Sequence, residues 1–185
     1  NLDYKIIDKV DVFKAELRNN RDILSVSSAN CSPVNILGTY FMKRSDMKSG
    51  QEIHTWGNFI DEDYLKTIDL QLVAGNNFSK QDILNASQAD NSKNVFCFII
   101  NESAARKLGW KPEDAIGKRM FLGDHRPGEI KAVVKDFHFA SLHNPIEPLV
   151  LFPGSRGSTL IVKVTGNNLA QTISFLKHRW KQVAP

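Results

Sequence analysis

The stretch VVKDFHFASLHNPIEPLVLF, residues 133–152, decides the fold. Val133, Phe137 and Phe139 share a parity that would place their side chains on one face of a strand. Its two prolines stop any helix and force an extended passage before the next apolar run. We therefore predict a strand over residues 129–139, buried mainly on one side, and a second strand after the prolines.

Around this stretch, helical and extended segments alternate without a repeat. Capping residues or 3–4 spacing of apolar residues predict helices at 8–20, 61–68, 101–108, 113–116 and 168–182. Apolar runs predict strands at 23–29, 39–42, 53–59, 70–73, 95–100, 119–122, 149–152 and 159–165, besides the strand at 129–139. The residues alone therefore predict an α+β fold with one or two lobes.

Two segments carry more specific expectations. In the last helix, Leu169, Ile173, Leu176 and Trp180 form an apolar stripe. Residues 82–93 are polar and rich in Asn, Ser, Gln and Asp, so we expect a mobile loop that serves as a contact surface.

Four further blocks accompany the opening stretch. They are YLKTIDLQLVAGNNFS at 64–79, INESAARKLGW at 100–110, AIGKR at 115–119 and WKQVAP at 180–185. Together the five blocks resemble the extracytoplasmic domain of MacB/FtsX-like ABC transporter permeases. The resemblance covers residues 60–185, and the first 60 residues match only in general layout. Asn76 and Asn77 stand where an arginine is common, so no role of that arginine is carried over.

The resemblance implies a single periplasmic domain over residues 1–185, the MacB-like periplasmic core domain. Its ferredoxin-like porter lobe would be built from both ends of the chain, about 1–35 and part of 95–185. A β-rich lobe, about 36–94, would be inserted between them. We expect no catalysis, and coupling of cytoplasmic ATP hydrolysis to conformational work on a periplasmic substrate or partner, in efflux, lipoprotein or peptide handling.

The same resemblance implies partners and a location. The partners would be a cytoplasmic ABC ATPase, a second permease subunit in a dimer and a periplasmic partner, with the domain facing the periplasm at the inner membrane. No apolar run in the chain approaches the ~20 residues that cross a bilayer. We therefore expect a soluble domain whose membrane helices lie outside residues 1–185. A net charge of +4, with 20 acidic residues and no dense basic stripe, does not favour nucleic-acid binding.

The candidates for chemistry are weak. His138 and His143, with Asp136 nearby, suggest a metal or acid–base site, but two histidines cannot complete a zinc site and no third ligand is obvious. We expect Asp136 instead to bond backbone N–H groups around Ser141. The sequence has neither a G-x-S-x-G elbow around Ser103 nor a phosphate-binding glycine motif. We therefore predict no catalytic, cofactor-binding or metal-binding residues.

Two alternatives stay open at this point. A free-standing periplasmic ligand-binding domain or hydrolase would need a pocket that gathers titratable groups around His138 and Asp136. Cys31 and Cys97 fit neither a disulfide-rich scaffold nor a metal site. We expect Cys97 to be a small buried apolar residue, although a disulfide with Cys31 is compatible with an oxidising compartment.

Overall fold

The computed structural model describes residues 9–48, 50–88, 93–123, 126–154 and 157–183. Its helices are α1 Val10–Arg18, α2 Tyr64–Thr67, α3 Lys80–Asn85, α4 Glu102–Lys107, α5 Pro112–Ala115 and α6 Leu169–Val183. Its strands are β1 Ile23–Ala29, β2 Gly38–Arg44, β3 Ile53–Ile60, β4 Leu72–Gly75, β5 Phe96–Asn101, β6 Arg119–Leu122, β7 Pro127–Val134, β8 Leu149–Pro153 and β9 Thr159–Val164. The predicted mixture of helices and strands is confirmed. No helix in the described ranges is both long and apolar enough to span a bilayer.

Six of the strands form a closed ring. The pairings run from β2 through β6, β7, β5 and β8 to β3, and β3 pairs back with β2. Two of these pairings, β5 with β7 and β3 with β8, are parallel, and the other four are antiparallel. Closure gives each of the six strands a partner on both edges, so the ring itself has no open edge at which another chain could pair.

Side chains at alternating positions fill the inside of the ring. One buried cluster takes Met42, Phe98, Ile100, Met120, Leu122, Ile130, Val133, Val150 and Phe152 from the ring strands and Ala104, Ala105 and Leu108 from the α4 segment. Glycines make room for the aromatic rings among these side chains. A Cβ on Gly57 would lie 2.5 Å from Cδ2 of Tyr40, and one on Gly128 would lie 2.5 Å from Cε2 of Phe98.

The side chains on the opposite parity form a second cluster outside the ring. It includes Ile60, Ile99, Ala132, Val134, Leu149 and Leu151, covered by Tyr64 and Leu65 of the α2 segment, Ile83 of α3, and Phe139. β7 runs from Pro127 to Val134, so the strand predicted over 129–139 begins two residues too late and ends five residues too late. The expected one-sided burial is also wrong at the end of β7, where Ala132, Val133 and Val134 are all buried, Val133 in the inner cluster and the other two in the outer one. Phe137 and Phe139 reach the outer cluster from the loop after β7.

β1 and β9 extend the sheet beyond the ring. β1 meets β3 only at Ala29 and Ile60, and it pairs with β9 along its length. Helices α1 and α6 cover one face of this pair, with Phe13, Leu17, Ile23, Val26, Val162, Val164, Leu176 and Trp180 in the cluster between them. The chain therefore places helices from both of its ends on the same strand pair.

The apolar stripe predicted for α6 is correct only in its second half. Leu176 and Trp180 contact the cluster, but Leu169 and Ile173 are 50% and 41% exposed. Thr172 is buried in their place and donates its hydroxyl to the backbone oxygen of Asn168 at 3.0 Å. Because this local hydrogen bond satisfies the hydroxyl, a polar residue can occupy the buried side of the helix.

The mobile loop predicted over residues 82–93 begins as a helix, so that expectation is wrong for residues 82–85. α3 starts with a capping box, in which Ser79 Oγ accepts from the Asp82 amide at 3.3 Å and the Asp82 carboxylate accepts from the Ser79 amide at 2.6 Å. Burial opposes ionisation of Asp82, but hydrogen bonds from Lys131 and Ser79 outweigh it and lower its pKa. Residues 89–92 lie outside the described part of the chain.

Candidate coupling site

A buried ion pair connects helix α1 to the end of strand β3. Lys14 and Asp61 are only 4% and 3% exposed, and the Lys14 ammonium donates to Asp61 Oδ2 at 2.5 Å. Lys14 lies on the buried face of α1 beside Val10, Phe13 and Leu17. A charge taken out of water at such a position requires a partner of opposite sign, and Asp61 supplies it.

Asp61 is also hydrogen-bonded to strand β1. Its Oδ1 accepts from the Ser27 hydroxyl at 2.7 Å, and its Oδ2 accepts from the Ser28 amide at 2.6 Å and the Ser28 hydroxyl at 3.1 Å. The Asp63 amide donates to Oδ1 at 3.1 Å. One carboxylate thus receives five hydrogen bonds, which satisfies its acceptor capacity and fixes its position.

The network reaches the surface through Asp63 and Arg18. The Asp63 carboxylate pairs with Arg18 and lies 3.5 Å from the Lys14 ammonium. Arg18 also donates to the backbone oxygen of Val26 in β1 at 3.3 Å. Helix α1, strand β1 and the end of β3 are therefore held together by charged hydrogen bonds, so that a displacement of α1 would be passed to the ring.

A second polar cluster fastens the loop after β7 to helix α4. Asp136 accepts from the Ser103 amide at 2.9 Å, the Ser103 hydroxyl at 2.8 Å and Arg106 at 2.8 Å. Glu102 in turn accepts from the Asp136 amide at 3.0 Å. The expectation that Asp136 bonds amides near Ser141 is wrong, because the α4 N-terminus lies closer and offers both a free amide and a guanidinium.

Asn101 connects the same helix to the segment that follows the loop. Its Oδ1 caps α4 by accepting from the Ala104 amide at 2.9 Å, and it also accepts from the Leu149 amide at 2.9 Å. Its Nδ2 donates to the backbone oxygen of Glu147 at 2.9 Å. The predicted cap is confirmed, and Asn101 also positions the start of β8.

The residues considered for chemistry lie at the start of α4 and in the loop after β7. His138 and His143 are exposed loop residues, and the described ranges contain no group of three His, Cys, Asp or Glu side chains that could hold a metal ion. The Ser103 hydroxyl donates to Asp136 Oδ2, and the same oxygen accepts from Arg106. Cys31 and Cys97 are not bonded to each other. Burial raises the pKa of the Cys97 thiol to about 12, so this thiol is protonated and unreactive at neutral pH.

An aromatic row lies on the outer face of β2 and β3. The ring centroids of Phe41 and His54 are 6.0 Å apart, those of His54 and Trp56 5.8 Å, and those of Trp56 and Phe139 6.5 Å. Phe41 is 58% exposed, and the Trp56 indole donates to the Glu147 carboxylate at 2.6 Å. The alternation of His54, Thr55, Trp56 and Gly57 in the sequence is the signal that this face carries large side chains.

Comparison with known proteins identifies the fold. No family model and no curated protein matches the chain. Among solved structures, the periplasmic region of MacB from Actinobacillus actinomycetemcomitans superposes with a TM-score of 0.63 at 17% identity, covering 94% of this chain and 73% of that one. This chain has the fold of a MacB periplasmic domain. The resemblance predicted from the five sequence blocks is therefore confirmed.

Two further structures agree with this result. The extracellular domain of the ABC-type transporter YknZ from Gram-positive bacteria has a TM-score of 0.58 at 15% identity, covering 88% of this chain and 76% of that one. A domain of a protein described as a permease from Porphyromonas gingivalis has a TM-score of 0.58 at 18% identity, covering 93% of this chain and 70% of that one. The MacB-like fold is thus shared with domains of ABC transporters and permeases.

Proposed function

We propose that this chain is a non-catalytic, extracytoplasmic domain of an ABC transporter permease, which couples ATP hydrolysis by a cytoplasmic ATPase to conformational work outside the membrane. The observation that carries the proposal is the fold shared, over 88% to 94% of the chain, with the periplasmic region of MacB, the extracellular domain of YknZ and a domain of a permease. The work would act on a periplasmic substrate or partner, in efflux, lipoprotein or peptide handling.

The buried network supports a mechanical role. In this proposal, membrane helices flank the domain, so α1 and α6 are the elements nearest to them. A movement of α1 acts on Asp61 through Lys14, and Asp61 is bonded to β1 and lies at the end of the ring strand β3. Rigid-body motion needs such a connection, because two layers held only by apolar contacts can slide past each other.

The proposal includes the division into two lobes. The porter lobe, with the ferredoxin-like layout that the resemblance implies, would contain α1, β1, β9 and α6. The β-rich lobe would contain the ring, which takes four of its six strands, β5 to β8, from outside the range of about 36–94 expected for that lobe. The packing of α1 and α6 on the single β1–β9 pair supports a lobe built from both ends of the chain.

The proposed partners are a cytoplasmic ABC ATPase, a second permease subunit that completes a dimer, and a periplasmic protein. The domain would face the periplasm at the inner membrane. The aromatic row from Phe41 to Trp56 is the surface we assign to the periplasmic partner, because an exposed phenyl ring beside a half-buried indole is typical of the centre of a protein interface.

The test uses the full permease with its ATPase in lipid nanodiscs. Glu16 on α1 is exposed, and a spin label there reports the distance between the two copies by pulsed electron resonance. We expect this distance to differ between the nucleotide-free and vanadate-trapped states. A pair of labels at Glu16 and Glu113 within one copy serves as the control and should keep its distance, because the domain moves as one body. Identical distances between copies in both states would refute the proposal.

A further inference from the structure

A groove runs between α1, α6 and β9, the last strand of the sheet in the described part of the chain. Its volume is about 480 Å³. Six apolar side chains form its floor and walls: Phe13, Leu17, Leu160, Val162, Leu176 and Trp180. Ser158 and Thr159 lie at one end of it. Grooves of this size and apolar character are typical of small-molecule sites rather than of ordinary gaps between helices.

Charge at the groove has a single sign. Lys177 and Lys181 line it, four residues apart and therefore on one face of α6. None of the described residues that line the groove is acidic. The aliphatic part of a lysine side chain can cover apolar surface while its ammonium group stays in water. An occupant with a long apolar part and one negative end matches both features.

We propose that this groove binds a single-chain anionic amphiphile of the fatty-acid type. The alkyl chain lies on Leu160 and Val162 between Leu176 and Phe13, and the carboxylate binds the ammonium groups of Lys177 and Lys181. One chain fills a groove of this volume, whereas the two chains of a phospholipid would leave one exposed to water. The inference does not depend on the chain being part of a permease.

Trp180 makes the proposal measurable. Its indole forms a wall of the groove and packs edge-on against Phe13, with ring centroids 6.0 Å apart. A bromine atom carried by a bound chain would lie against this ring and quench its fluorescence by contact. Trp56 and Trp110 do not line the groove, so replacing both with phenylalanine leaves one reporter at the site.

The experiment titrates 9,10-dibromostearate, below its micelle concentration, into the 185-residue chain carrying Trp56→Phe and Trp110→Phe. We expect saturable quenching of Trp180. The double charge reversal Lys177→Glu with Lys181→Glu should weaken binding at least tenfold. The matched control reverses two exposed lysines elsewhere, Lys111→Glu with Lys118→Glu, and should leave binding unchanged.

Chain length gives an independent readout. Each pair of methylenes removed from an unbrominated competitor should weaken competition by about tenfold, because apolar burial sets the affinity. If the double tryptophan variant is poorly folded, the same titration of the wild-type chain and of Trp180→Phe gives the Trp180 signal by difference.

Four outcomes would overturn the inference. They are the absence of saturable quenching, equal binding by the charge-reversed variant, equal binding of the uncharged brominated alcohol, and quenching only by brominated phosphatidylglycerol vesicles. The last would identify a membrane surface as the occupant. A fifth outcome would also overturn the inference: loss of quenching as the protein concentration is raised, together with a dimer in light scattering, would identify a second copy of the chain as the occupant.

Discussion

The substitution Lys14→Met tests whether the buried network holds the two layers of the domain together. Methionine keeps the length of the side chain and its apolar contacts on α1 but removes the ammonium group. Asp61, 3% exposed, is then left as a buried carboxylate without its close counter-charge. We expect the free energy of unfolding to fall by about 3 kcal/mol.

The size of this loss follows from what Asp61 retains. Breaking a buried ion pair by removing one partner costs about 3–5 kcal/mol. Four of the five hydrogen bonds to Asp61 come from neutral donors on Ser27, Ser28 and Asp63, and the variant keeps them. These donors stabilise the carboxylate in the absence of Lys14, so we place the loss at the lower end of the range.

A double-mutant cycle in urea separates the pair from its surroundings. Lys14→Met, Asp61→Asn and the double variant are unfolded and followed by tryptophan fluorescence and circular dichroism. Each single variant already removes the ion pair. We therefore expect the loss of unfolding free energy in the double variant to be about 2 kcal/mol smaller than the sum of the losses in the two single variants.

Lys163→Met is the matched control. Lys163 also pairs with an aspartate at 2.5 Å, but Asp69 is 75% exposed, so this pair should contribute less than about 1 kcal/mol. A loss below 1 kcal/mol for Lys14→Met, or a coupling energy no larger than that of the exposed pair, would refute the role assigned to the network.

Three further outcomes follow from single residues. Gly75→Ala should lower the free energy of unfolding by about 3 kcal/mol or more, because a Cβ there would lie 2.2 Å from a backbone oxygen of β7 at a φ of 79°. Gly117→Ala, with a φ of 75° and no atom within 4 Å of the added Cβ, should lower it by only about 1–2 kcal/mol. Equal losses for the two variants in urea would contradict this expectation. Asp136→Ala removes three hydrogen bonds to α4, so amides 137–143 should exchange faster by mass spectrometry while the ring stays protected, and unchanged exchange would count against the anchor. Above about pH 8.5 the Cys97 thiol ionises in the unfolded chain, whereas in the folded protein its pKa is raised to about 12. The wild type should therefore lose more unfolding free energy than Cys97→Ala as the pH rises toward 12. Parallel curves of stability against pH for the two proteins would contradict the burial of this thiol.

Local patterns in the sequence predicted most elements. β1 and β6 have the predicted bounds, because a polar or glycine residue stands directly before and after each of them. Asn101 was predicted as a cap from its position before a helical pattern, and its side chain does accept from the amide three residues on. Strand ends and helix caps depend on residues adjacent in the sequence, so the sequence alone predicts them.

The strand predicted to continue to residue 139, five residues past the end of β7, shows where prediction from local sequence patterns fails. Alternation of apolar residues continues to Phe139, but the backbone leaves the sheet after Val134, where Asp136 binds Ser103, 33 residues earlier in the chain. Phe139 remains buried although it is not in a strand. Periodicity reports which side chains are apolar, and it does not report which backbone groups will be paired.

The coupling site was missed for a related reason, although a signal was present. Lys14 follows Phe13 on the apolar side of α1 and lies three residues before Leu17, so a lysine occupies a position of the buried stripe. Asp61 was assigned to the start of a helix, as its position suggests. Only the fold brings these residues together across 47 positions of sequence. The closure of the ring is equally invisible, because it depends on pairings between distant strands.

The pairing of β1 with β9 has a consequence for how the domain bears a pulling force. Ile23, where β1 begins, lies opposite Val164, where β9 ends, so α1 and α6 are attached at the same end of this pair. Tension that separates the two helices would open the pair from that end, one hydrogen bond after another, because the bonds lie along the direction of pull. Lys14 carries part of such a load directly to Asp61 near the opposite end of β1, beside Ser28. Under such tension, the buried salt bridge would carry load in parallel with the hydrogen bonds of the strand pair.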